Sequence, residues 1–347
     1  MRTRANKQSG ATIKDVAERA GVSAMTVSRV LNGESRVRDE TRERVLEAMK
    51  ALDYRPNISA RSLAKARSFF LGLLYNNPNP GYVSELLIGM MNRCRQAGYH
   101  LAIEDSGATD SHWAKAIDAV LRTSNFDGVI LPPPVSDFPS VRAALTDMDI
   151  PYVRIAPEND RASVPSVVTD DREAAQRMTR YLLELGHTRI GFIQGDPEHG
   201  SSRQREAGFR EALQQAGIEL RDAWVQPGRY TYRSGLVAAE NLLNSDDRPT
   251  AIFASNDDMA AAVVAVANRL GLDVPGELSI AGFDDTQTAT TLWPQLTTVR
   301  QPIAEMAAAS IDMLTRMLEK GDDAGDPETR LIPCELIVRG STAPPGT

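Results

Sequence analysis

Few residues of this 347-residue chain are spaced for catalysis. The four histidines, His100, His112, His187 and His199, are scattered, with no metal-binding spacing such as HExxH. Cys94 and Cys334 lie far apart without a CxxC partner, so neither a zinc site nor a disulfide framework is expected. Asp284 and Asp285 are adjacent, so one carboxylate faces away from any site the other serves. No GxGxxG follows a strand-like run, and Walker loops and GxSxG elbows are absent. The chemistry that remains is recognition: no enzyme and no cofactor are expected. His187, at the helix stop LGHTRI, reads as structural.

Charge points to one object of recognition. Residues 1–67 hold 15 Lys/Arg against 8 Asp/Glu, a net of +7; the remainder holds 24 against 38, a net of −14, and the two sum to the whole-chain value of −7. A basic head on an acidic body suits a polyanion at the head alone. Hydrophobic residues make up 42% and charged residues 24%, an ordinary globular composition that excludes disordered, collagen-like and coiled-coil chains. No apolar run approaches the ~18 residues of a transmembrane helix. The start, MRTRANKQSGATIK, lacks the apolar segment of a secretory signal, so a cytoplasmic, nucleoid-associated location without membrane contact is expected.

The head must be built from short helices. Thr12 can cap a first helix, with Asp15 three residues on completing a capping box, and Ile13, Val16, Ala17 and Ala20 supply its apolar face. Gly21 permits the sharp turn, and Ser23 caps a second helix from about Ala24 to Asn32. A third runs from about Asp39 to Leu52 and buries Val45, Ala48, Met49 and Leu52. Helix, glycine turn, helix is a helix-turn-helix.

The run TIKDVAERAGVSAMTVSRVLNGESRVRDETRERVLEAMKALDYRPNISARSLA, residues 12–64, closely resembles the DNA-binding head of the LacI/GalR (lactose-repressor) family. The resemblance implies that the second helix enters the major groove of operator DNA with its N-terminal residues at base edges. Ala24 and Met25 then stand where the family reads bases, acting through shape and thymine methyl contacts. Arg29 can form a bidentate pair with guanine. Thr26, Ser28 and Asn32 suit phosphate contacts, with Thr12 and Ser23 beside them at the helix starts. Met25 as a core residue and Arg29 as a plain surface cation are the competing readings. The segment from Arg55 to Ala64 matches the family's hinge helix, with Asn57 and Ala60 at the minor groove and Leu63 as the wedge that opens a base step; an ordinary tether is the alternative.

Beyond Arg67, strand-like apolar runs alternate with helical segments: 69–75, 100–105, 128–133 and 151–156, then 189–195, 224–228, 250–257 and 278–285. Two such groups in series predict an α/β body of two doubly wound, parallel-sheet subdomains. Residues 68–342 again resemble the family, whose body is shaped like a periplasmic sugar-binding protein. The expected domains are residues 1–54 (an all-α helix-turn-helix head), 55–67 (hinge), 68–342 (ligand binding and dimerisation) and a tail, 343–347. The N-subdomain takes about 68–168 and 300–327, and the C-subdomain about 169–299 and 328–342.

The cleft between the subdomains is the expected effector site. Tyr82, Arg205, Tyr230, Asn256, Asp257, Asp284 and Gln301 match positions that line the family's pocket. Asp284 can accept from a sugar diol, Arg205 offers a planar fork of donors, and the tyrosines can stack on a ring. Asn256, Asp257 and Asp284 also suit helix caps, the tyrosines can be packing residues, and Asp170 can be either a pocket residue or a cap. Trp293 beside Pro294 reads as structural. Ala156 stands where some sugar repressors carry an acidic residue, which leaves the ligand open. The expected function is a homodimeric repressor of carbohydrate-utilisation genes that binds a palindromic double-stranded operator and is released by a sugar. A purine or nucleoside corepressor is the alternative, and control through a phosphocarrier protein has no clear support in the sequence. A sugar-binding protein without DNA binding does not account for the head.

Overall fold

The computed structural model describes residues 11–31, 37–54, 67–105, 109–159, 164–245, 247–321 and 326–346. The chain divides into two compact units, Met1–Ser68 and Phe69–Thr347.

The head holds helices α1 (Ile13–Ala20), α2 (Ala24–Leu31) and α3 (Asp39–Ala51). The capping box forms: Thr12 Oγ1 accepts from the Asp15 amide, and the Asp15 carboxylate accepts from the Thr12 amide at 2.7 Å. Gly21 takes φ +64, a left-handed value that lets the chain turn at once into α2. Ser23 Oγ accepts from the Thr26 amide at 3.1 Å, the expected cap. Val16, Ala17, Ala20, Val27, Val30, Val45 and Ala48 are buried together. Met49 and Leu52, expected in this core, only flank it, half-buried. An Arg44 guanidinium nitrogen donates to the Ala20 carbonyl and ties α3 to the end of α1.

The body contains two six-stranded sheets. The first comprises β1 (Phe70–Leu74), β2 (His100–Glu104), β3 (Gly128–Leu131), β4 (Tyr152–Ile155), β5 (Ser166–Val168) and β11 (Thr329–Leu331), in the order β11-β5-β4-β3-β1-β2 and wholly parallel. The second repeats the plan with β6 (Ile190–Ile193), β7 (Val225–Gln226), β8 (Ala251–Ala254), β9 (Ser279–Asp284), β10 (Thr297–Arg300) and β12 (Glu335–Ile337), in the order β12-β10-β9-β8-β6-β7. Only β12 runs antiparallel, against β10. The helices between strands are α4 (Pro80–Ala97), α5 (Asp110–Ser124), α6 (Pro139–Asp147), α7 (Asp171–Glu184), α8 (Gly200–Gln215), α9 (Tyr232–Leu243), α10 (Asp257–Arg269) and α11 (Gln287–Thr291). The last helix, α12 (Ile303–Lys320), returns to the first subdomain, where Met306, Ile311 and Leu314 join Leu71, Leu73 and Ile130 in one core. Gly89 of α4 permits this approach, because a Cβ there would stand 2.8 Å from the Ala307 methyl.

The chain thus crosses between subdomains three times: after β5, after β10 and after β11. The last crossing differs from the expected boundary at 328. Thr329–Leu331 stays in the first sheet, parallel to β5, and the crossing follows it. That strand is three exposed residues with no apolar run to betray it. The expected tail is also less separate: the Ala343 amide and carbonyl both bond the Ser279 hydroxyl. His187 is structural as read, with ring nitrogens on the Thr250 and Ser279 hydroxyls and the Ala343 carbonyl. Among the described residues, no helix is long and apolar enough to cross a membrane.

Candidate functional site

The head presents one helix suited to DNA. Along α2, Val27 and Val30 turn into the head core, while Met25 is 63% exposed and Arg29 is exposed. That removes the core reading of Met25: its thioether and Arg29 lie on the open side of the helix. Thr26 and Ser28 are half-buried beside them, and Ala24 packs partly against the core. Thr12 and Ser23 sit exposed at the two helix starts. Asn32, Asn57, Ala60 and Leu63 lie outside the described residues.

In the body, a cleft opens at the carboxyl ends of both sheets, the ligand position of doubly wound folds. The first subdomain contributes Asn77, Asn79 and Tyr82 from the turn into α4, Pro133 after β3 and Ala156 after β4. The second contributes Asp171 at the start of α7, His199, Ser201 and Arg205 around the start of α8, Tyr230 before α9 and Asp284 ending β9. Gln301 lies on the crossing between them. The unfilled space among these residues, part of it open to solvent, is about 360 Å³. Ala156, Tyr230 and Asp284 hold φ values of +44, +57 and +108. Such strain costs of order 1–3 kcal/mol per residue and gathers at functional sites.

Arg205 organises the floor. Its Nε donates to Asp171 at 2.9 Å, one terminal nitrogen donates to the Ser255 carbonyl at 2.6 Å and lies 3.4 Å from Asp284, and the guanidinium sits 3.6 Å from the Phe283 ring centre. Asp284 accepts from Gln301 at 2.8 Å and from Asn79 at 2.7 Å. The second contact crosses the cleft, because Asn79 belongs to the first subdomain and also caps α4 through its Oδ1. Burial pushes the Asp284 carboxyl up to about 6; Arg205, Gln301 and Asn79 oppose the rise, and Asp171 adds to it. Burial holds His199 down at about 4, against Asp196 and with help from Arg205 and Arg203. Its ring lies edge-on to Tyr230 at 5.3 Å. Burial also raises both the Tyr82 and Tyr230 phenols, so each stays neutral, and the Tyr230 hydroxyl is 3.2 Å from Ser201. A second tie spans the cleft where Arg203 of α8 donates to the Glu158 carboxylate after β4, with Nε at 2.7 Å.

Five of the seven expected pocket residues therefore converge: Tyr82, Arg205, Tyr230, Asp284 and Gln301. Asn256 and Asp257 do not line the cleft. Asn256 caps α10 through the Met259 amide at 3.0 Å and props Tyr230 through its carbonyl. Asp257 accepts from the Thr298 hydroxyl at 2.6 Å and the Thr286 amide at 2.7 Å. Both are spent on the scaffold, as strand-end polar residues at a helix start can be. Asp170 neither lines this cleft nor makes a side-chain cap: its carboxylate pairs with Arg177 at 2.9 Å and accepts from the Cys334 amide. Trp293, read as structural, is 87% exposed. Sequence reasoning missed Asn77, Asn79, Asp171, His199 and Ser201. The polar turn before Pro80 and the helix starts at 171 and 200 were the available signals.

Residues 12–57 match the family model for bacterial regulatory proteins of the lacI family, and residues 179–342 match a periplasmic binding protein-like domain. The HTH-type transcriptional repressor PurR of Edwardsiella ictaluri (strain 93-146) is 36% identical over 96% of this chain and 97% of its own. The structure of a lac repressor dimer bound to operator and the anti-inducer ONPF superposes with a TM-score of 0.78 at 28% identity, covering 96% of this chain and 100% of that one. A complex of the transcriptional regulator CelR with cellobiose gives 0.73 at 29% identity, covering 95% and 99%. An exposed recognition helix on a helix-turn-helix head, a ligand cleft in a periplasmic-binding-protein body, and relatives aligned over nearly the full length lead to one assignment: the chain belongs to the LacI family of DNA-binding transcriptional regulators, which are not enzymes.

Proposed function

We propose that this regulator represses carbohydrate-utilisation genes as a homodimer on a near-palindromic operator, and that a sugar in the cleft releases it. The observation that carries the sugar assignment is the buried Asp171–Arg205–Asp284 cluster beside Tyr82 and Tyr230. Carboxylates and a guanidinium fork match the hydroxyls of a sugar, and aromatic rings match its apolar face. The cellobiose complex of the structurally similar CelR supports the same class. Arg29, Met25 and Ala24 read the half-site; Thr12, Ser23, Thr26, Ser28 and Asn32 fix its position on phosphates; Asn57, Ala60 and Leu63 serve the hinge in the minor groove. Two-fold protein symmetry then matches operator symmetry.

An operator selected from a randomised duplex pool, followed by anisotropy titrations with and without candidate sugars, tests this reading. A palindromic consensus whose affinity falls about 5–150-fold with a sugar is the expected result, the range of ordinary allosteric coupling. Release by no sugar, with tighter binding in a purine base or nucleoside, replaces the inducer by a flat corepressor held between Tyr82 and Tyr230. A selected site without two-fold symmetry refutes the dimer.

A further inference from the structure

We infer that the cleft rejects anionic effectors and takes an uncharged ligand rich in hydroxyl or N–H donors; this rests on reading the cleft as the effector site. Among the described residues lining it, the fixed charges are Arg205 against Asp171 and Asp284, an excess of one negative charge. The one cation of that set is already held on both carboxylates and on the Ser255 carbonyl, and its guanidinium carbon sits over the Phe283 ring. His199 adds no positive charge near neutral pH, because burial and the two neighbouring arginines keep its imidazole neutral. The next cations out are matched as well: Arg203 holds Glu158, and Arg229 lies 3.6 Å from Asp196.

Of the four helix starts at the cleft, which would otherwise attract an anion, those of α4 and α9 carry side-chain caps and those of α7 and α8 do not. Asn79 caps α4 and Pro80 brings no N–H; Asp171 opens α7; Thr231 caps α9 through the Ser234 amide. Ahead of α8, the Asp196 carboxylate accepts from the Glu198 amide and acts electrostatically on His199, which sets a negative charge near that uncapped start. A phosphate or carboxylate entering this space loses its hydration beside two buried carboxylates and gains no unpaired cation in return. A neutral polyol gains acceptors instead. Its hydroxyl can take the Asp284 oxygen that Asn79 now holds across the cleft.

Calorimetric and thermal-shift titrations of the full chain near neutral pH, with matched pairs, test the inference: glucose and glucose 6-phosphate, glucose and glucuronate, inosine and inosine monophosphate, cellobiose alongside. We expect at least one neutral member to bind and its charged counterpart to bind about 30-fold or more weakly. Binding of a charged member as tightly as its neutral partner, or of the charged member alone, overturns the inference and leaves the cleft standing as an effector site. Silence from every compound overturns the effector-site reading and this inference with it.

Discussion

The Asp284 carboxyl turns effector binding into a function of pH that can be worked out in advance. Its pKa rises from 3.8 to about 6, so keeping it ionised in the folded chain at neutral pH costs about 3 kcal/mol relative to the unfolded chain. The sign follows from the direction of the shift. A carboxyl raised on folding destabilises the native state above its folded pKa, and the penalty fades as pH falls through about 6 towards 4. The unliganded body therefore gains stability on mild acidification from this group. Effector binding goes the other way. Ligand hydroxyls donate to the ionised form, so affinity is full above about pH 7 and falls close to tenfold for each unit below about 6. His199, held at about 4, stays neutral across that window and does not contribute. Asp284→Asn keeps the shape and removes the titration. It should weaken binding about 10–100-fold at neutral pH, as expected for lost charge-assisted hydrogen bonds, and flatten the profile between about pH 7.5 and 5. Calorimetry of the best-binding sugar across that range measures both. A flat wild-type profile, or an Asp284→Asn profile with the wild-type slope, refutes the assignment of the proton to Asp284.

Arg29→Ala should cost about 1–3 kcal/mol of operator affinity and relax preference at one base pair, read by competition with operator variants; equal weakening on all sequences would place Arg29 on phosphate. Leu63→Ala should reduce operator bending in a circular-permutation gel while leaving effector affinity unchanged. Gly195→Ala puts a Cβ 2.2 Å from the Tyr230 ring, so it should displace that tyrosine and weaken effector binding about tenfold or more without altering the head. Thr12→Ala removes the α1 cap and should lower head stability by about 1 kcal/mol in denaturant melts.

The elements that were legible share a local cause. The Thr12–Asp15 box, the Gly21 turn and the Ser23 cap are each set within four residues, and the structure contains all three. The central strands announced themselves because strands covered on both faces are continuously apolar, as in Leu71–Leu74 and Ile252–Ala254. The edge strand Thr329–Leu331 has no such face and left no trace. In the cleft, Asp284 and Arg205 were found because a motif carries each. Asn79, Asp171 and His199 were missed because three separate helix starts deliver them, and their convergence is set by packing between distant segments. Asn256 and Asp257 show the converse: a strand-end polar pair looks the same whether it faces a ligand or anchors a helix, and here Met259, Thr286 and Thr298 claim it. Trp293 followed neither pattern: it is 87% exposed although a tryptophan beside a proline reads as packed.

The interleaved connectivity also bears on how the molecule is made. The core beneath the first sheet is completed by Ile303, Met306, Ile311 and Leu314, which leave the ribosome only after the second lobe has been translated through β10. At about 5–20 residues per second, the intervening stretch of about 130 residues leaves that apolar surface open for roughly 7–26 seconds. The second lobe waits in turn for its own last pieces: Ser341 bridges β9 and β10 through Ile280 and Thr297, and Ala343 bonds Ser279. A chain stopped before residue 303 lacks part of the first lobe's core, and one stopped before residue 343 lacks the bonds that tie the second lobe's last segment to β9.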